Sequence, residues 1–476
     1  MPGESNFGSR LLDACRRFAD RPALVDAGES LTYRQFAEVA VALGQTPVLA
    51  DIRSGEPVLV VVAGRVHDLI GFLAVWCAGG VVVPVHRSAA ESTVRDLVRR
   101  TGARYVVDSD RHALPLPTVK GAGPVFRTGL VAPPADPMLD GAAWIVFTSG
   151  STGEPKGVVH GHDVWSAKLD AIGAEIGMVA DAPTVLVLQS TFIFGQWLSC
   201  LALLSGGTLF MRDRFDPAAV LSDLVGGARI GVVPTMLRRL RTIVGTASFP
   251  AFAGDILSGG EPMPVDLVSW VRATWPNARL WDLYGSTEMG SCDFFMRPGE
   301  WDEAVGTIGR PGPGIDVRIA PDTGELLVRS PYAMRGYFRD PDRTHAAYRD
   351  GYFRTGDAAE ILPDDRVRLV GRLGDMINRG GIKISPLEIE RVFMERPDIS
   401  AALVAGVPDP VRGEALHVFV VPRDDAALDP ATLFDWARSR MDRTKLPDGI
   451  IVGTDIPTGR TGKADRAALR SLILSR

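Results

Sequence analysis

From Ala23 to about Val233 the chain alternates short β-branched runs with longer stretches of helical character. The runs are Val58–Val62, Val81–Val85, Tyr105–Val107, Trp144–Phe147, Val185–Leu188 and Ile230–Val233. The helical stretch between successive runs supplies the crossover that parallel pairing needs, so the alternation predicts an α/β fold built on parallel sheet. A chain of 476 residues exceeds what one core sustains, which predicts a compound large unit and at least one smaller one. Between Arg310 and Arg368 the character changes to short alternating strands with turn signals at Pro321–Gly324 and Pro363–Asp365, predicting a β-rich subdomain that closes the large unit. After Arg372 a fresh α+β unit begins, with helices predicted at Pro386–Glu395 and Pro430–Met441 and strands at Ala401–Val407 and Ala415–Val421. The expected domains are therefore 1–371 and 372–476, with the boundary inside 371–375.

Composition narrows the function classes. A net charge of −5 and no basic stripe argue against nucleic-acid or anionic-membrane partners. The apolar run Leu69–Val85 is broken by Gly79, Gly80 and Pro84, and reads as a buried helix entering a buried strand, not as a membrane span. The first eighteen residues lack the pattern of a signal peptide, and Cys15, Cys77, Cys200 and Cys292 have no metal-site or disulfide spacing; the expectation is a cytoplasmic protein with reduced thiols.

The segment Ile145–Val159 reads as a strand feeding a loop of glycine and hydroxyl residues with one lysine, Lys156. Glycine lets backbone N–H groups approach a polyphosphate, and Ser and Thr add hydroxyl contacts. It is not a P-loop NTPase pattern: Pro155 stands where glycine is required, and Lys156 is followed by Gly157 in place of Ser or Thr.

Thr148–Val158 resembles the signature loop of the adenylate-forming superfamily of acyl-CoA synthetases, peptide-synthetase adenylation domains and luciferases. The likeness continues, in the family's order, through Ser258–Pro262, Tyr284–Glu288, Gly324–Val328, Thr355–Asp357, Gly371-Arg372, Ile377–Ile384 and Pro457–Lys463. It implies a large domain of two parallel-sheet αβ subdomains plus the β-rich one, and a small mobile C-terminal lid carrying Lys463. The implied reaction is attack of a carboxylate on the α-phosphorus of ATP, giving an acyl-AMP. Charge then develops on phosphate oxygens, so cations and oriented donors matter more than acid–base groups.

By this resemblance Lys463 bridges the acyl carboxylate and the α-phosphate. Lys156 and the loop Thr148, Ser149, Gly150, Ser151, Thr152 and Gly153 hold the polyphosphate. Glu288, with Thr148, offers hard oxygen ligands to Mg²⁺, and Thr287 bonds the α-phosphate. Tyr284 stacks on adenine, while Asp282 and the segment Gly260, Glu261 and Pro262 meet its edge. Asp357 accepts from the ribose hydroxyls and Arg372 donates to ribose or phosphate. Gly374 occupies the hinge position where the family usually has Asp or Lys, so rotation is free but a locking side chain is absent. Gly380 and Gly381 leave room for a pantetheine arm.

The acyl pocket is read from Phe192, Gly195, Gln196, Trp197, Gly260, Gly285 and Met289, an apolar, partly aromatic set similar to that of benzoate–CoA ligases and suited to a small aromatic or cyclic acid. ATP and Mg²⁺ with CoA as co-substrate are the implied cofactors. An acyl carrier protein or an amine stays open as acceptor, a homodimer stays open as assembly, and a catalytically silent scaffold and a luciferase-like oxidation of the acyl-AMP stay open as further readings.

Overall fold

The computed structural model describes residues 6–108, 125–149, 155–178, 180–249, 251–304, 306–423, 426–458 and 464–475. Among them, the alternating N-terminal region divides between two mixed sheets. One sheet places Val81–His86 and Tyr105–Val107 on either side of Pro57–Val62, all parallel, with Ala142–Ser149 parallel beyond Val81–His86. The other runs parallel through Pro22–Val25, Leu209–Met211, Thr184–Leu186, Arg229–Val232, Asp255–Gly259 and Arg279–Tyr284. Antiparallel strands finish both sheets, as at Phe294–Met296, which returns beside Arg279–Tyr284.

The short runs cannot be assigned to a sheet by their own pattern. Pro22–Val25 pairs with its sequence neighbour Ser30–Thr32 on one edge and with the distant Leu209–Met211 on the other, because a buried apolar strand is satisfied by any parallel partner of matching register. A shared core joins the sheets: Val60 and Trp144 from one, Leu257 and Trp281 from the other, and Phe72, Trp165 and Trp197 from the helices between them. At its centre Trp144 meets Trp76 edge to face at 4.9 Å, Phe72 at 5.1 Å and Trp165 at 5.6 Å.

One expectation changes here. Lys156 stands on a strand, Pro155–Gly161, paired antiparallel with Ala142–Ser149 so that Thr148 faces Lys156 in register. Gly157 permits that pairing, since a Cβ there would lie 2.9 Å from Ile145 Cγ2 and 3.0 Å from the Phe147 ring.

The β-rich part is an antiparallel sheet containing Asp316–Ile319, Glu325–Arg329, Tyr352–Ile361 and Val367–Arg372, whereas Arg310–Pro311 belongs to the preceding sheet. Beyond it, Ile377–Arg379, Ile382–Ile384, Ile399–Asp409, Gly413–Pro422 and Gly449–Val452 form a separate sheet with their own core around Ile377, Phe393, Leu416 and Val418. The helix Pro386–Met394 is capped by Ser385 with proline at its first position. The helix from Pro430 ends at Arg438, three residues before the expected Met441, where the Ser439 hydroxyl donates to the Trp436 carbonyl.

Candidate active site

Two parallel strands deliver the site. Asp255–Gly259 and Arg279–Tyr284 run in register, with Ser258 beside Asp282 and Gly259 beside Leu283. Past the strand ends the chain turns at Gly260, whose φ of 83° suits glycine, and at Gly285. The second glycine is required by contact: a Cβ there would lie 2.5 Å from the Cys292 nitrogen. A one-turn 3₁₀ helix, Thr287–Met289, follows.

Glu288 is buried at 6% exposure and ion-pairs with Lys156, 132 residues away in sequence. Tyr337 completes the triangle, accepting from Lys156 Nζ at 2.9 Å and donating to Glu288 Oε1 at 2.8 Å. Burial pushes the Glu288 carboxyl up, but the Lys156 ammonium and the Tyr337 hydroxyl outweigh it and hold the group below its ordinary value. The structure thus joins a cation suited to phosphate and a carboxylate suited to a hard metal. Thr148 Oγ1, in register with Lys156, is buried without a hydrogen-bond partner among the described residues. One carboxylate plus an orphaned hydroxyl fits Mg²⁺, which takes few protein ligands and fills its shell from phosphates and water; among the described residues there is no denser His/Cys/Asp/Glu cluster.

A second group lies where the β-rich sheet meets the same strand end. Asp357 and Arg372 are cross-strand partners, with Arg372 Nε 2.8 Å from Asp357 Oδ1. Tyr284 donates its hydroxyl to Asp357 Oδ2 and sets its ring edge to face against Phe294 at 5.5 Å. The tyrosine that the motif assigns to adenine stacking is therefore also a strut, fixed at its tip. Burial raises the Asp357 carboxyl above its ordinary value, with Arg372 and Tyr284 working against that rise.

Asp282 is buried, and its Oδ1 has no hydrogen-bond partner among the described residues. Burial pushes its carboxyl up to about 7. Gly260 and Pro262 are exposed, and the Glu261 carboxylate accepts from the Thr235 hydroxyl at 2.9 and 3.0 Å.

The proposed acyl residues separate by burial. Phe192, at 43% exposure, caps the helix Ile193–Leu204. Gly195 packs its helix onto the preceding loop, where a Cβ would stand 2.5 Å from the Gln189 carbonyl oxygen. Gln196 donates to the Ser190 carbonyl at 3.1 Å. Trp197 is fully buried in the shared core, stacked on Phe194 at 5.2 Å and 7°. Met289 packs among Phe294, Leu326 and Val328. A helix apolar on all sides is buried on all sides, which is why composition alone did not separate wall from core.

Gly380 and Gly381 form the turn between two strands, both at positive φ, with open space where side chains would project. Gly374 lies in the short turn Leu373–Asp375 and is equally open. Arg372 on one side is tied to Asp357, and Asp375 on the other pairs with Arg466 at 3.4 Å. Gly150, Ser151, Thr152, Gly153 and Lys463 lie outside the described residues; Ser149 ends its strand.

Tyr337, in the triangle with Lys156 and Glu288, and His160 both escaped the sequence reading. His160 Nε2 sits 2.7 Å from the Thr287 carbonyl oxygen. Burial pushes its imidazole down to about 4, so the ring is neutral and Nε2–H donates. The available signal was strand periodicity, which puts residues 156, 158 and 160 on one face.

Comparison with known proteins agrees with this arrangement. Residues 11–338 match the family described as AMP-binding enzyme, and residues 388–463 match the AMP-binding enzyme C-terminal domain. Feruloyl-CoA synthase from an Amycolatopsis species is 30% identical over 98% of this chain and 98% of its own. The human mitochondrial malonate–CoA ligase is 28% identical over 95% of this chain and 90% of its own. Among solved structures, the amide bond synthetase McbA from Marinactinospora thermotolerans superposes with a TM-score of 0.84 at 26% identity, covering 98% of this chain and 99% of that one. The buried pairing of Lys156 with Glu288, the Tyr284–Asp357–Arg372 group and these matches lead to one conclusion: the chain belongs to the AMP-binding enzyme family, the adenylate-forming superfamily whose motifs it carries.

Proposed function

We propose that the protein uses ATP to convert a carboxylic acid into an acyl-AMP and then transfers the acyl group to CoA. The observation that carries this reading is the Lys156–Glu288 pair, which brings a phosphate-binding cation and a metal-binding carboxylate together from distant motifs. In the first step the acid's carboxylate oxygen bonds to the α-phosphorus as the bond to pyrophosphate breaks. In the second, the CoA sulfur bonds to the acyl carbon, AMP leaves with the electron pair, and the thiol proton is released. Lys156 draws the polyphosphate into place, Thr287 and Lys463 meet the α-phosphate and the carboxylate, and Asp357 with Arg372 holds the ribose. Glu288 and Thr148 would hold Mg²⁺, which when bound would add positive charge beside the phosphate oxygens. Gly380–Gly381 offers passage to the pantetheine arm.

The acid fitted best is a small aromatic or cyclic one. Phe192 lies open at the start of its helix, and a relative of matching length is a feruloyl-CoA synthase. A second reading is supported by the likeness to an amide bond synthetase: with no side chain at Gly374 to lock a rotated state, an amine could intercept the acyl-AMP directly.

Acid-dependent exchange of labelled pyrophosphate into ATP, run over benzoates, cinnamates and aliphatic acids, tests adenylation whatever the acceptor. An aromatic or cyclic acid is expected to exchange fastest. Adding CoA or an amine to the working reaction and weighing the product separates the two readings. A thioester mass upholds the first; an amide formed in the presence of both acceptors replaces it with the second.

A further inference from the structure

The turn carrying Thr287 and Glu288 is followed by a backbone that its own sequence does not favour. Gly290, Ser291 and Cys292 have φ of 78°, 70° and 48°. Two of the three bear side chains, which the left-handed region disfavours. Such a run persists only where its surroundings over-determine it.

Here the surroundings are charged. Lys168, on the helix His162–Ile176, is 2% exposed. Its ammonium donates to the Cys292 carbonyl at 3.1 Å and to Asp293 Oδ1 at 3.0 Å, and lies 4.9 Å from the centre of the Tyr332 ring. One cation therefore grips both the carbonyl that ends the left-handed run and the carboxylate next to it. Gly290 fits under the same stem, since a Cβ there would stand 3.2 Å from Lys168 Cγ. Earlier in the same turn, His160 holds the Thr287 carbonyl, and the Met334 N–H donates to the Glu288 carbonyl at 2.7 Å.

Stability does not account for these charges, because an apolar pair of similar volume is often no less stable in a buried place. A directed bond to the Cys292 carbonyl is something an apolar pair cannot make. Lysine is also scarce in the chain, occurring at 120, 156, 168, 383, 445 and 463. Resting on the reading that Thr287 and Glu288 meet the nucleotide and its metal, we infer that Lys168, paired with Asp293, is a positioning residue for adenylation. It clamps the left-handed run at 290–292 and so sets where Thr287 and Glu288 point.

The test is the double variant Lys168→Met/Asp293→Leu, which removes both charges and leaves neither unpaired. Its pyrophosphate-exchange kcat is expected to fall between about tenfold and a hundredfold. Half-saturation by Mg²⁺ is expected to rise about tenfold, as when a group behind a metal ligand is lost. KM for the acid stays near the parent's, and the amides of 286–293 take up deuterium faster. A double variant that melts like the parent, with unchanged kcat, Mg²⁺ dependence and deuterium uptake over 286–293, overturns the assignment. If the double variant does not fold, Asp293→Asn, which keeps the carboxylate's shape but loosens its hold on Lys168, carries the same readouts and outcomes. A parent that neither exchanges with any acid nor binds Mg·ATP in calorimetry refutes the proposed function instead. Deuterium uptake then decides the clamp alone: faster exchange in the variant upholds it, and unchanged exchange rejects it.

Discussion

Replacing Glu288 by alanine is expected to lower acid-dependent pyrophosphate exchange by roughly a thousandfold, the loss that follows removal of one main stabiliser of transition-state charge. Without the carboxylate, Lys156 keeps Tyr337 as a partner among the described residues, and the metal would lose its carboxylate ligand. Lys156 is 23% exposed and can reach water, so the melting temperature is expected to move by only a few degrees. Glu288→Gln keeps the shape and loses the charge; it is expected to behave like the alanine variant, which separates charge from packing. A folded alanine variant that exchanges within about tenfold of the parent would remove Glu288 from the metal's coordination.

The same residue has a pH signature. Its folded value lies below the ordinary 4.5, so the ion pair contributes stability above that pH and loses it as pH falls through the lowered folded value. Glu288→Gln is expected to erase that part of the acid limb in urea titrations.

Asp282→Asn is expected to stabilise the protein at pH 8 by up to about 4 kcal/mol, with no gain at pH 4. Burial raises this carboxyl from 3.8 to about 7. Across that window the folded state keeps a proton that the unfolded chain releases, so stability falls as pH rises from about 4 to about 7 and stays lower above it. Asparagine fills the same space and cannot ionise. The gap between parent and variant, measured as urea midpoints from pH 4 to 8, should open along that window. A gap that is flat with pH would mean that the lone Oδ1 has a partner, such as water, that offsets its burial. Nucleotide affinity should lose its pH dependence in parallel if Asp282 meets the adenine edge, since both the neutral acid and the amide can donate and accept.

The chemical identity of the site was written locally. Lys156 stands in a Gly/Ser/Thr run, Glu288 after a Tyr-Gly-Ser-Thr turn, and Asp357 and Arg372 in their own short motifs. Each could be found because backbone geometry and ligand chemistry constrain residues that are near in sequence. Alternation of strand and helix is local too, and it was enough to identify an α/β fold with parallel sheets.

What only tertiary structure decided are the partnerships. Lys156 meets Glu288 across 132 positions, Lys168 meets Asp293 across 125, and Tyr284 reaches Asp357 across 73. Sheet order sets these distances, and sheet order depends on which buried strands pair, a choice that runs of valine and isoleucine leave open. For the same reason Trp197 and Met289 read as pocket walls in sequence and lie packed in cores in the fold: an apolar side chain carries no mark of whether its neighbour will be protein or substrate, and only the closing of the two sheets and the β-rich layer settles which it is.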